Sequence, residues 1–226
     1  MNSILYLLSN SFNNKIKFNK LLSNSDFVVA VDGGLNIAKE NKLLNKVIYA
    51  IGDFDTCVNP QDFIQKEKII KYPPKKDRTD TVLAFNFLKD KKEFSDMKHI
   101  FFSVSGARED HFLSLIFYFL KERLYNISKF ELHNDNESIF LLKGGKYKIL
   151  KQNKRLFSFL PLSKIENLTI KPIEYPFPSN LPAFFDIGVS NTFDSDTVEL
   201  SFSGESAILF IENKDGNKIE ILNEIY

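Results

Sequence analysis

Through the first 134 residues, short continuous apolar runs alternate with stretches whose apolar side chains recur at helical spacing. The runs fall at 4–8, 27–31, 47–51, 68–72, 99–104 and 129–133, and the amphipathic stretches at 16–22, 35–44, 60–67, 81–88 and 110–124. Uninterrupted apolar strands joined by helices are what a parallel sheet covered on both faces requires. From residue 137 the helical spacing disappears. Short strands are expected at 138–142, 147–150, 155–160, 168–171, 198–202, 207–211 and 218–221, separated by turn residues such as Gly144-Gly145, Ser203-Gly204 and Asp215-Gly216. The pattern predicts α/β plus all-β: an N-terminal, mostly parallel sheet with flanking helices over 1–134, and a C-terminal β-sandwich or roll over 135–226. The boundary lies in the polar stretch His133-Asn134-Asp135-Asn136-Glu137, and the proline-rich segment 172–182 reads as a long loop or sheet crossover.

Composition narrows the classes of partner. The 226 residues are 43% apolar and 26% charged, which is ordinary for a globular chain. Thirty Lys and Arg against twenty-nine Asp and Glu leave a formal charge of +1, so no global field draws the chain to nucleic acid or to an acidic membrane surface. No apolar run approaches the roughly 20 residues of a membrane span. The first residues lack the basic start and long apolar stretch of a leader. The one cysteine, Cys57, fits a reducing compartment and reads as a packing residue, so a cytoplasmic protein is expected. With no Trp, Phe and Tyr must supply the aromatic core.

The informative charges follow the strands. Asp32 ends one run and precedes Gly33-Gly34, while Asp53 and Asp55 follow the next in Gly52-Asp53-Phe54-Asp55-Thr56. Ligands of open α/β sheets bind at the carboxyl ends of strands, so these carboxylates are expected in one crevice. An Asp-x-Asp turn can aim both side chains at one hard cation, although Asp also caps helices and turns in the ordinary way. Lys75, Lys76, Asp77, Arg78 and Asp80 then precede the helical stretch 81–88, a mixture suited to an anion held partly through a metal, or to a solvated loop with Thr79 or Asp80 as helix cap. Arg108, Asp110 and His111 follow the run 99–104; a single His in the first turn of a helix reads more simply as structural. Neither G-x-x-x-x-G-K-[ST] nor G-x-G-x-x-G occurs, and Lys143-Gly144-Gly145-Lys146 reads as a hairpin. Any nucleotide phosphates therefore fall to metal and carboxylates.

The order Asp-Gly-Gly, Gly-Asp-Phe-Asp-Thr, Lys-Asp-Arg-Thr-Asp and Gly-Ala-Arg-Glu-Asp-His, followed by Phe159-Leu160-Pro161-Leu162-Ser163 and Gly188-Val189-Ser190-Asn191, resembles the thiamine pyrophosphokinase family over nearly the whole chain. The resemblance implies transfer of pyrophosphate from ATP to the hydroxyethyl group of thiamine, with Mg²⁺ bound by Asp53, Asp55 and Asp80. It implies ATP binding by Asp32, Lys76, Asp77 and Arg108, with Arg108 and Asp110 serving the chemistry. Residues 1–134 then form the catalytic domain and 135–226 the thiamine-binding and dimerisation domain. Ser190 and Asn191 line the thiamine site, usually across a homodimer interface. Ala107 stands where the common form has Gly, and with no Trp to stack on thiamine, Phe193 is the candidate aromatic. A pyrophosphokinase for another small alcohol would differ in which alcohol releases AMP, and a non-catalytic nucleotide or thiamine binder in giving no turnover.

Overall fold

A computed structural model describes residues 2–9, 12–56, 59–106, 108–150, 152 and 154–223; Cys57 and Ala107 lie outside the described residues. The chain divides into two units, Met1–Glu122 with Ser128–Asp135, and Arg123–Ile127 with Asn136–Tyr226.

The first unit runs β1 (Ser3–Leu7), α1 (Lys15–Ser23), β2 (Phe27–Val31), α2 (Gly34–Glu40), β3 (Val47–Gly52), β4 (Ile69–Lys71), α3 (Asp80–Lys89), β5 (Lys98–Phe102), α4 (Glu109–Lys121) and β6 (Phe130–His133). Its strands are ordered β6-β5-β1-β2-β3-β4, every pairing parallel. Because strand side chains alternate faces, Leu5, Leu7, Ile100 and Phe102 join Phe18 and Leu21 of α1 and Leu35 and Ala38 of α2 in one core. On the neighbouring register, Phe101 of β5 packs its ring against Phe85 of α3 and Phe119 of α4. The helices begin as their sequences dictate. Asn14 caps α1 by accepting from the Lys17 amide at 3.0 Å, and Thr79 caps α3 by accepting from the Val82 amide at 3.4 Å.

One expected helix is absent. Residues 60–67 form only the short 3₁₀ turns Pro60–Asp62 and Lys66–Lys68. Pro60 starts a turn readily, but the stretch has too few apolar positions to bury a full helical face, so tertiary packing never stabilises a longer element.

The second unit runs β7 (Glu137–Leu142), β8 (Gly145–Leu150), β9 (Leu156–Pro161), β10 (Glu166–Lys171), β11 (Asn191–Thr192), β12 (Thr197–Ser203), β13 (Ala207–Glu212) and β14 (Glu220–Asn223). One antiparallel set is ordered β11-β9-β13-β7 and the other β10-β12-β8-β14. Phe140, Phe157, Phe159 and Leu209 from the first meet Ile149, Ile170, Leu200 and Phe202 from the second in one apolar cluster, the sandwich expected. The reading of 143–146 as a hairpin is corrected: β7 and β8 lie in different sheets, so the Gly144-Gly145 turn carries the chain from one to the other. Gly144 is required there because a Cβ would lie 2.5 Å from the Gly204 carbonyl oxygen. Between β10 and β11 the proline-rich segment forms only the isolated bridges Ile165–Leu181 and Ile173–Phe193.

Among the described residues no helix is long and apolar enough to cross a membrane.

Candidate functional site

The carboxyl ends of the parallel strands open into a cleft of about 590 Å³, whose walls include Ser9 after β1, Asp32 after β2, Asp53, Asp55 and Thr56 after β3, and residues 76–82 after β4. Arg108 and His111, at the start of α4, line it as well. A parallel sheet makes this convergence unavoidable, since every strand of such a sheet ends on the same side.

Carboxylate oxygens of Asp32, Asp53 and Asp55 lie within 4.8 Å of one another. Gly52 permits the approach: a Cβ there would fall 3.0 Å from both Cα and Cβ of Asp32. Asp32 is 9% exposed. Its Oδ2 accepts from Thr56 Oγ1 at 2.6 Å and from Ser9 Oγ at 3.4 Å, whereas its buried Oδ1 has no hydrogen-bond partner. A buried carboxylate oxygen without a donor is costly, and beside two further carboxylates the missing partner that suits it is a hard, oxygen-seeking cation. The group therefore fits a divalent metal.

Lys76, expected to bind ATP, and Asp80, expected to bind metal, both line the cleft and form a charged bridge with Asp53. The Lys76 ammonium lies 2.6 Å from Asp53 Oδ2 and 2.8 Å from Asp80 Oδ1, joining the two carboxylates. Its hydrogen bond holds Asp53 below the usual carboxylate range. Burial raises Asp80, against the lowering effect of Lys76. For Lys76, burial alone would favour the neutral amine, but the two acidic partners outweigh it and the pKa rises. Asp77 lines the cleft, and the Arg78 guanidinium lies 5.6 Å from the Tyr118 ring centroid.

Arg108 and Asp110 form an exposed bidentate pair, Nε to Oδ1 at 2.9 Å and an η-nitrogen to Oδ2 at 2.7 Å. Arg108 holds the Asp110 carboxyl at about 2. Such a group is a weak proton acceptor near neutrality, so its geometry suits orienting the guanidinium better than removing a proton.

In the second unit, Ser190 is exposed, with φ of 56°, and its amide donates to Ser158 Oγ at 3.1 Å. Asn191 is buried, and its amide is engaged by backbone: Oδ1 accepts from Tyr175 N at 3.1 Å and Nδ2 donates to Tyr175 O at 2.6 Å. Phe193, expected to offer a face to thiamine, is 0% exposed and stacks on Phe157 with centroids 4.1 Å apart. That expectation is corrected: just past β11 and bridged to Ile173, this ring packs into the sandwich core. Phe193→Leu is accordingly expected to lower unfolding free energy by about 1–2 kcal/mol while leaving the thiamine KM unchanged. Denaturant melts and steady-state kinetics check the two halves of this expectation.

Ser9, Thr56 and Tyr118 line the cleft without having been singled out from the sequence. Ser9 follows β1, so the strand-end rule that located Asp32 reaches it too; Tyr118 lies deep in α4, where only tertiary packing brings it to the cleft.

A model of the thiamin pyrophosphokinase catalytic domain matches residues 18–129, and a model of the thiamin pyrophosphokinase vitamin B1 binding domain matches residues 146–207. The chain is 36% identical over 135 residues to thiamine pyrophosphokinase of Bacillus subtilis (strain 168), a match covering 57% of this chain and 61% of that protein. Among solved structures, a thiamin pyrophosphokinase family protein from Enterococcus faecalis superposes with a TM-score of 0.78 at 22% identity, covering 94% of this chain and 99% of that one. Thiamin pyrophosphokinase from Candida albicans gives 0.74 at 18% identity, covering 93% and 89%. These two likenesses bear on the fold.

Proposed function

The chain belongs to the thiamine pyrophosphokinase family, and we propose that it transfers the pyrophosphoryl group of ATP to thiamine, giving thiamine diphosphate and AMP. The observation that carries this reading is the carboxylate group Asp32, Asp53 and Asp55 at the strand ends, with its buried, unpartnered oxygen. These residues would hold Mg²⁺, which when bound supplies neutralising charge to the phosphate oxygens. Asp80 is held beside them through Lys76.

The thiamine hydroxyl oxygen attacks the β-phosphorus, the bond from that phosphorus to the α,β-bridging oxygen breaks, and the hydroxyl proton passes to solvent. Arg108, oriented by Asp110, offers fixed N–H donors to phosphate oxygens, and Asp77 and Arg78 border the same cleft. Positioning and electrostatics of this kind carry most of the rate in phosphoryl transfer.

The second unit would take the thiamine, with Ser190 on an exposed turn and the neighbouring Ile187 and Val189 side chains also exposed. A cytoplasmic homodimer completes the reading. Purified protein given Mg·ATP and thiamine is expected to release AMP and thiamine diphosphate in equal amounts, resolved by chromatography. ADP with thiamine monophosphate would overturn the assignment.

A further inference from the structure

The backbone fixes where the Asp32 side chain begins. Its φ of 47° lies in the left-handed region, one that Asp enters more readily than most residues, and Gly52 packs against its Cα. Neither feature decides how the carboxylate is turned. With Asp53 and Asp55 close by, mutual repulsion would favour a rotamer that carries Asp32 away from them. Thr56 opposes that rotation through the 2.6 Å hydrogen bond from its Oγ1 to Asp32 Oδ2, with Ser9 behind it at 3.4 Å. Thr56 is itself tied down. Asn36 Nδ2 of α2 donates to the Thr56 carbonyl at 3.2 Å, and Gly33 sits so near that a Cβ there would meet Thr56 Oγ1 at 3.2 Å. With Oδ2 engaged, Oδ1 is the oxygen left for a cation.

We propose that Thr56 is a positioning residue for the cation site: its hydroxyl holds the Asp32 carboxylate in the orientation that leaves Oδ1 to the metal. This rests on the reading of Asp32, Asp53 and Asp55 as that site. A hydroxyl acting in this way sets metal affinity before any nucleotide arrives, so the test uses the protein alone with Mn²⁺ as probe, following free Mn²⁺ by electron paramagnetic resonance. Thr56→Val keeps the side-chain shape and removes the donor; it is expected to weaken Mn²⁺ binding about tenfold with little change in thermal midpoint, since outer partners of metal ligands commonly act at this scale. Thr56→Ser, which restores the donor, is expected to return affinity close to wild type, and Asp53→Asn serves as the reference that removes a ligand.

Wild-type affinity in Thr56→Val with loss in Asp53→Asn overturns the positioning role and leaves the cation site standing. Unchanged binding in Asp53→Asn overturns the site and the role together. Equal weakening in Thr56→Val and Thr56→Ser also overturns the role, because the hydroxyl would then not be what matters.

Discussion

Asp53→Asn is expected to leave a folded protein whose turnover is lower by about a thousandfold, equivalent to roughly 4 kcal/mol of lost transition-state stabilisation. Asp53 is the residue shared by both charged arrangements in the cleft. It belongs to the three-carboxylate group and also receives the Lys76 ammonium at 2.6 Å. The amide keeps the volume but loses the charge, so the proposed metal site would lose a ligand and Lys76 would retain Asp80 as its acidic partner. Steady-state rates across an Mg²⁺ titration, with a thermal melt to establish folding, provide the measurement. Wild-type turnover at limiting Mg²⁺ would remove Asp53 from the site.

Acid is expected to destabilise the first unit well above the pH at which most carboxylates protonate. His99 on β5 is buried, with its Nδ1 2.8 Å from the Tyr6 hydroxyl and its ring against Phe85 and Phe130. Burial, with a smaller effect from Lys129, lowers its pKa from 6.5 to about 4. The unfolded chain therefore takes up the proton first. Stability is complete above pH 6.5 and is lost as the pH falls toward 4, by about 3 kcal/mol for a shift of this size. His133, also lowered by burial, acts with the same sign, while Glu131, held at about 2 despite its burial by His133 and Lys98, adds its loss only below its unfolded value of 4.5. Unfolding free energies from denaturant titrations at pH 7 and pH 4.5 should differ in the wild type and differ less in His99→Gln, which keeps a polar partner for Tyr6. An identical pH dependence in the two proteins would assign the acid loss elsewhere.

The parts legible in the sequence were those set by local pattern. Continuous apolar runs place the strands of the parallel sheet, and because such a sheet ends all its strands on one side, Asp32, Asp53 and Asp55 are expected in one crevice from the sequence alone. What stayed hidden depends on tertiary pairing. Nothing between Ser9 and Thr56 along the chain signals that both hydroxyls point at Asp32, and no spacing rule shows that Lys76 bridges Asp53 and Asp80. Gly144-Gly145 has the composition of a hairpin, yet whether a turn joins neighbours in one sheet or crosses between two is decided by the whole sandwich. Phe193 is hidden for a related reason: Ser190, three residues before it, is exposed, but the bridge to Ile173 and the stack on Phe157 turn the ring inward.

A Cβ on Gly34 would lie 2.0 Å from the Leu7 carbonyl oxygen, so the first residue of α2 meets the end of β1 backbone to backbone, ahead of the side-chain packing of Leu35 and Ala38. Most helices rest on a sheet through interlocking side chains, and their height above it changes when those side chains are exchanged. Here the closest approach beneath the cleft is between main-chain atoms, whose size no substitution elsewhere can alter. Core residues such as Leu5 and Phe18 can therefore be exchanged for others of similar volume while Asp32, two positions before Gly34, keeps its place. The crevice thus keeps its floor where main chain meets main chain, whichever apolar side chains of similar volume fill the core around it.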